Sequence, residues 1–135
     1  MFTLALIGDV MLGRGVDAVL KRMRPPEMWG DVLPHLLQAD LRIANLECAL
    51  TRQAQPWTRS WKRFHFRADP GAVRFLQAAR IDACSLANNH VLDFEARGLQ
   101  KLAHLARHVL AAGDDVGLAH TIDAAAFRHR LTWRH

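Results

Sequence analysis

Apolar residues fall along this chain in short runs separated by stretches with helical spacing. That alternation predicts an α/β protein with a mainly parallel sheet. Thr3 to Ile7 reads as a strand that ends at Gly8-Asp9. Gly15 to Met23 puts Val16, Val19, Leu20 and Met23 on one side of a helix, which Arg24-Pro25-Pro26 should end. Met28 to Gln38 predicts a second short helix with Pro34 as an interruption, and Leu41 to Leu46 a second strand ending at Glu47. Thr51 to Arg67 is polar, basic and aromatic, the composition of a long loop. Asp69-Pro70 is a helix start, aspartate at the N-cap and proline at the first helical position, for a helix running to about Arg80. Ile81 to Ala87 is the third strand and closes on Asn88-Asn89-His90. Phe94 to Ala112 is the longest helix candidate, with an apolar stripe of Leu99, Leu102, Leu105, Ala106 and Val109 and Gly113 as its stop.

The pattern then fails. Residues 114–135 hold neither a clear strand nor a helix face, and His104, His108, His120, His129 and His135 all fall after residue 100. The expected division is therefore 1–112 as one unit and 113–135 as a poorly packed tail. A chain that stops mid-domain, truncated or frameshifted after about residue 105, would leave a sheet edge open to self-association.

Composition changes this picture little. The 135 residues fit one domain, and half of them are hydrophobic. A net charge of +5 and a pI near 10.2 favour anionic partners such as polyglutamate or a phosphorylated substrate, though a GC-rich coding sequence would also raise arginine content. Cys48 and Cys84 sit inside apolar runs and read as core residues, not as a disulfide framework. The start has no basic region or long apolar run, and no stretch approaches membrane-spanning length. As written, the chain is expected to be cytoplasmic, without a transmembrane segment.

All three strands end in a polar cluster: Gly8-Asp9, Asn45-Leu46-Glu47 and Asn88-Asn89-His90. Ligands of α/β sheets bind at the carboxyl ends of parallel strands, and right-handed crossovers bring such ends to one edge. Asp9, Glu47, Asn89 and His90 would converge there. That oxygen–nitrogen set suits a divalent ion such as Mn²⁺, Mg²⁺, Fe or Zn²⁺, which would polarise a phosphoryl or acyl oxygen. Taken singly, Asp9 can cap a turn, Asn88-Asn89 can be a turn pair, and His90 an ordinary loop histidine.

The segment Gly8-Asp9-Val10-Met11-Leu12-Gly13-Arg14 resembles the opening GDxMLGR signature of CapA-like proteins. Asn45-Leu46-Glu47 with Leu50-Thr51 is similar to their NLExxLT, and Phe66 to Pro70 to their FRAxP. Ser85 to Phe94 resembles SLANNHxLDxG, with Glu95 where glycine often stands. The resemblance implies part of a metallophosphatase-type (calcineurin-like phosphoesterase) fold. It further implies a metal-dependent hydrolase or transferase associated with capsule or poly-γ-glutamate biosynthesis. Carried over by position, Asp9, Glu47 and Asn89 would be metal ligands and His90 would act near the nucleophile or leaving group. Asp93 would orient His90, and Arg14 would clamp an anionic oxygen or serve as a surface ion-pair residue. Full-length members of this family often act at or outside the membrane. Met11 stands where ordinary metallophosphatases carry a histidine, and the family's later histidine motifs have no match in this chain. His104 and His108, at i and i+4, read as helix-surface residues.

Arg52, Arg59, Lys62, Arg63 and Arg67 are interleaved with Trp57, Trp61, Phe64 and Phe66. This composition suits a polyanion-binding lip, or a loop whose aromatics pack inward while its charges face water. No sequence-specific nucleic-acid partner is expected. The rivals to catalysis are thus a non-catalytic polyanion-binding protein using residues 52–67, and an inactive truncated product.

Overall fold

The computed structural model describes residues 1–100; the expectations for residues 101–135 lie outside the described part. Strand β1 (Leu4–Val10) leads through helix α1 (Gly15–Leu20) to α2 (Pro25–Trp29), a 3₁₀ turn (Gly30–Val32) and α3 (Leu33–Gln38). Strand β2 (Leu41–Leu46) follows, then short β3 (Ala49–Leu50) and β4 (Arg67–Ala68). A 3₁₀ turn (Pro70–Ala72), helix α4 (Val73–Ala78) and strand β5 (Ala83–Ser85) complete the order, and residues 95–100 are helical.

The expected parallel α/β arrangement is present. A three-stranded sheet runs β1-β2-β5, both pairings parallel, and a separate two-stranded parallel pair joins β3 to β4. This second pair, which the sequence reading did not include, brackets the loop expected from Thr51 to Arg67: Ala49 and Leu50 lie opposite Arg67 and Ala68. Two residues per strand are too few to leave a periodic signal in the sequence.

Pro25 and Pro26 start α2, whereas the sequence reading used them only to stop α1. The reason is local. The first helical N–H groups need no intrahelical acceptor, so proline costs nothing there, and the Glu27 carboxylate accepts from the Arg24 N–H at 3.0 Å. Accepting that backbone N–H holds the Glu27 carboxyl below its ordinary pKa. Pro34 likewise sits in the first turn of α3 and begins a helix where an interruption was expected. Asp69 does cap as expected, accepting from the Gly71 N–H at 2.8 Å, with Pro70 next in line.

The core lies on one face of the sheet, where Val10, Ala44 and Leu46 meet Leu12, Leu20, Phe75 and Leu76. The Trp29 indole N–H donates to the Phe75 carbonyl at 2.7 Å and ties α2 to α4. On the other face, register places Leu4 beside Leu41 and Leu6 beside Ile43. Leu4 and Leu6 are 46% and 73% exposed, so among the described residues this face is open. No described helix is long and apolar enough to cross a membrane.

Candidate functional site

The site is built at the carboxyl ends of β1 and β2 and in the turns after β5. The β1–β2 register shifts between Ile7, opposite Ala44, and Asp9, opposite Asn45. Gly8 is the extra residue of this bulge, and the bulge re-aims the strand end. Asp9 thereby faces Asn45, whose Nδ2 donates to Asp9 Oδ1 and to Glu47 Oε2, each at 2.7 Å. The amide of Asn45 is thus a bridge between two carboxylates. Its own Oδ1 accepts from Asn88 Nδ2 at 2.9 Å, and Asn88 Nδ2 also donates to the Leu46 carbonyl at 2.9 Å. Asn88 Oδ1 accepts the His90 N–H at 3.0 Å. Both amides are spent on holding three strand ends together.

His90 is buried, its ring stacked on Phe66 at 4.0 Å between centroids with planes 18° apart. Its Nδ1 lies 2.7 Å from Asp93 Oδ2. A carboxylate there selects the tautomer that carries the proton on Nδ1 and leaves the Nε2 lone pair open. Nε2 points towards Glu47, 3.8 Å from Oε1, too far for a direct hydrogen bond. Asp93 is fully buried and has two other donors: the Phe66 N–H at 2.6 Å and the Lys62 ammonium, which also donates to the Asn89 carbonyl.

The residues singled out from the sequence are distributed as follows. Asp9, Glu47, His90 and Asp93 belong to one connected network. Asn89 is exposed and is engaged through its backbone carbonyl, while the neighbouring Asn88 turns its amide inward. Arg14 is exposed, with its guanidinium 5.1 Å from the Phe64 ring and 5.9 Å from Phe66. Met11 turns its sulfur back to the Gly13 N–H at 3.1 Å. Asn45, Asn88 and Lys62 were missed as site residues. Asn45 stands in the same motif as Glu47, and its place directly opposite Asp9 only becomes visible with the bulge.

Lys62 also corrects the view of the basic loop. Arg52 pairs with Asp69 at 3.3 Å, Arg59 with Glu95 at 3.6 Å, and Arg67 donates to the Gln53 carbonyl at 2.9 Å. With Lys62 turned inward, four of the five loop cations are engaged within the protein. Arg63 has no such partner among the described residues and lies 5.3 Å from the Phe64 ring.

Two backbone features hold this edge in place. A Cβ on Gly13 would lie 2.7 Å from the Arg67 carbonyl oxygen, so only glycine lets the end of β1 approach β4. Glu95 has φ of 60°, a left-handed conformation that glycine adopts freely, which accounts physically for the glycine often found at this place in the SLANNHxLDxG pattern.

Two carboxylates and an open imidazole nitrogen are donors of the type that binds divalent cations. Among the described residues, however, no three histidine, cysteine, aspartate or glutamate side chains gather closely enough to hold one. The set is partial, and the Asn45 amide stands between the carboxylates. Neither cysteine adds to it: burial pushes the Cys48 and Cys84 thiols up to about 11, so both stay protonated at neutral pH.

Fold and site together define a parallel α/β protein with a buried acid–base pair at its strand ends. The chain belongs to the bacterial capsule synthesis protein PGA_cap family, whose model matches residues 3–125. It is 32% identical over 130 positions to a probable polyglutamine synthesis accessory protein of Mycobacterium tuberculosis, covering 72% of this chain and 34% of that protein. The capsule biosynthesis protein CapA of Bacillus anthracis is 29% identical over 97 residues, 71% of this chain and 24% of its own length. The PGA biosynthesis protein CapA of Bacillus subtilis is 25% identical over 122 residues, 90% of this chain and 31% of its own. The chain thus spans about a third or less of these relatives.

Proposed function

We propose that this chain serves poly-γ-glutamate capsule biosynthesis through a metallophosphatase-type hydrolase or transferase centre built on His90, Asp93, Asp9 and Glu47. The observation that carries the reading is the buried His90–Asp93 pair, with Nε2 left open towards the Asp9–Asn45–Glu47 network. The names of the relatives supply the capsule polymer as the setting.

In this reading Asp93 holds the imidazole by Nδ1, and Phe66 fixes its plane by stacking. His90 Nε2 then takes a proton from the attacking oxygen or gives one to the leaving group. Asp9 and Glu47 are the residues that would hold a divalent cation, whose chemistry there would be to polarise a phosphoryl or acyl oxygen. Ligands beyond residues 1–100 would have to complete that set.

The test is turnover of poly-γ-glutamate, followed by chain length, and of an activated phosphodiester, each with Mn²⁺ and with chelator. His90→Gln should lower the rate by about 10²–10⁴-fold with little change in substrate affinity. Turnover untouched by His90→Gln would place the chemistry elsewhere. Saturable, salt-sensitive polymer binding without turnover would favour a binding module.

A further inference from the structure

Two cations at this edge remain unspent, and they meet on one aromatic ring. Arg14 follows β1 and Arg63 lies in the long loop, yet their guanidinium carbons stand 5.1 and 5.3 Å from the centroid of the same ring, Phe64. The two charges are therefore no further apart than the sum of those distances. Among the described residues neither has a carboxylate partner or a hydrogen-bond acceptor. Like charges held together repel, and an incoming anion is the natural relief. Phe64 is 45% exposed and stacks with Phe66, which in turn stacks on the His90 ring.

The backbone adds a second observation. Arg14 has φ of 57° and ψ of −130°, a combination that costs an arginine energy and would cost glycine little. No hydrogen bond or ion pair of its side chain among the described residues repays that cost: it is exposed, and its guanidinium lies over the two rings. A strained residue without a structural return, beside a buried imidazole, is the mark of a group kept for a ligand.

We infer that Arg14 and Arg63, carried on Phe64, form a binding subsite for neighbouring carboxylates of an anionic polymer and so seat the chain next to His90. This rests on the polymer reading above and deepens it. Arg14 is thereby a substrate-anchoring residue. Guanidinium groups suit carboxylates because they donate two parallel N–H bonds, and the ring restricts both side chains beforehand, so less freedom is lost on binding.

The experiment is a titration of the 135-residue chain with poly-γ-glutamate, with polyphosphate of matched charge, and with inorganic phosphate, at two salt concentrations. Arg14→Gln and Arg63→Gln should each weaken poly-γ-glutamate binding about tenfold and reduce its salt dependence, while Arg22→Gln, an exposed arginine after α1, binds normally. Arg14→Gly should weaken binding equally and raise the melting temperature by roughly 2–5 °C, because the strain is removed. Poly-γ-glutamate binding that both Gln variants retain would overturn the subsite but leave the polymer reading standing. Binding of polyphosphate or phosphate alone, or of none of the three, would overturn both. A lower melting temperature for Arg14→Gly would show that Arg14 is there for the fold.

Discussion

The three-stranded sheet buries a charged side chain at each end, and the two ends treat it differently. At the end where β2 begins, Arg42 is 7% exposed. Its Nε and backbone N–H donate to Asp82 at 2.8 and 2.7 Å, and its Nη1 donates to the Ala39 carbonyl at 2.8 Å and the Leu36 carbonyl at 3.3 Å. Every strong valence is used within the protein. At the opposite end Asp93 is as thoroughly satisfied, by Lys62, His90 and Phe66, but its partner His90 keeps Nε2 free. A closed network is a fastening, whereas one that stops a bond short is equipped for a ligand. That difference is what makes this end the candidate site, without reference to any relative.

The comparison breaks most easily at Arg42. Arg42→Ala would leave the Ala39 and Leu36 carbonyls without that donor and Asp82 with only the residue-42 backbone N–H, and should cost about 3–5 kcal/mol of unfolding free energy by denaturant titration. A loss below about 1 kcal/mol would mean that this end is not a fastening. Lys62→Met should cost less, about 2–3 kcal/mol, since Asp93 keeps two donors. Adding Asp93→Asn should restore part of that loss, a coupling that a double-mutant cycle reads directly. Additive losses would show that Lys62 and Asp93 act independently.

Two smaller effects sharpen the picture. Glu95→Gly should stabilise the chain by about 0.5–1 kcal/mol, by relieving the left-handed backbone, and the exposed pair with Arg59 is weak enough to lose. With both thiols raised to about 11, native Cys48 and Cys84 at pH 8 should resist a thiol reagent that labels them at once in denaturant. Thiolate forms as pH rises towards that value, so labelling should accelerate between pH 9 and 11 with the fold intact.

Much of the frame was legible in the chain because strands and caps are written locally. Leu41–Leu46 was read to the residue, β1 and β5 to within a few positions, and the Asp69 cap by its chemistry. The rest depends on distant partners. Lys62 looked like its basic neighbours because nothing nearby shows that Asp93 waits for it. Asn89 was preferred to Asn88 because alternation cannot tell which of two adjacent amides turns inward after a strand ends. Asn45 became a site residue only through a bulge at Gly8 that no periodicity marks.

The parallel pairing carries a kinetic consequence. Every strand contact among the described residues joins segments that cannot meet through a hairpin: Leu4 waits for Leu41, Ile43 for Ala83, and Ala49 for Arg67. Among the described residues no tight turn joins paired strands, so loop closure must precede any reward from pairing, and refolding should fall towards the millisecond-to-second end of the range for small domains. On a ribosome, β1 with its apolar Leu4 and Leu6 emerges well before its partner strand. That interval is when a chaperone has most to offer this chain.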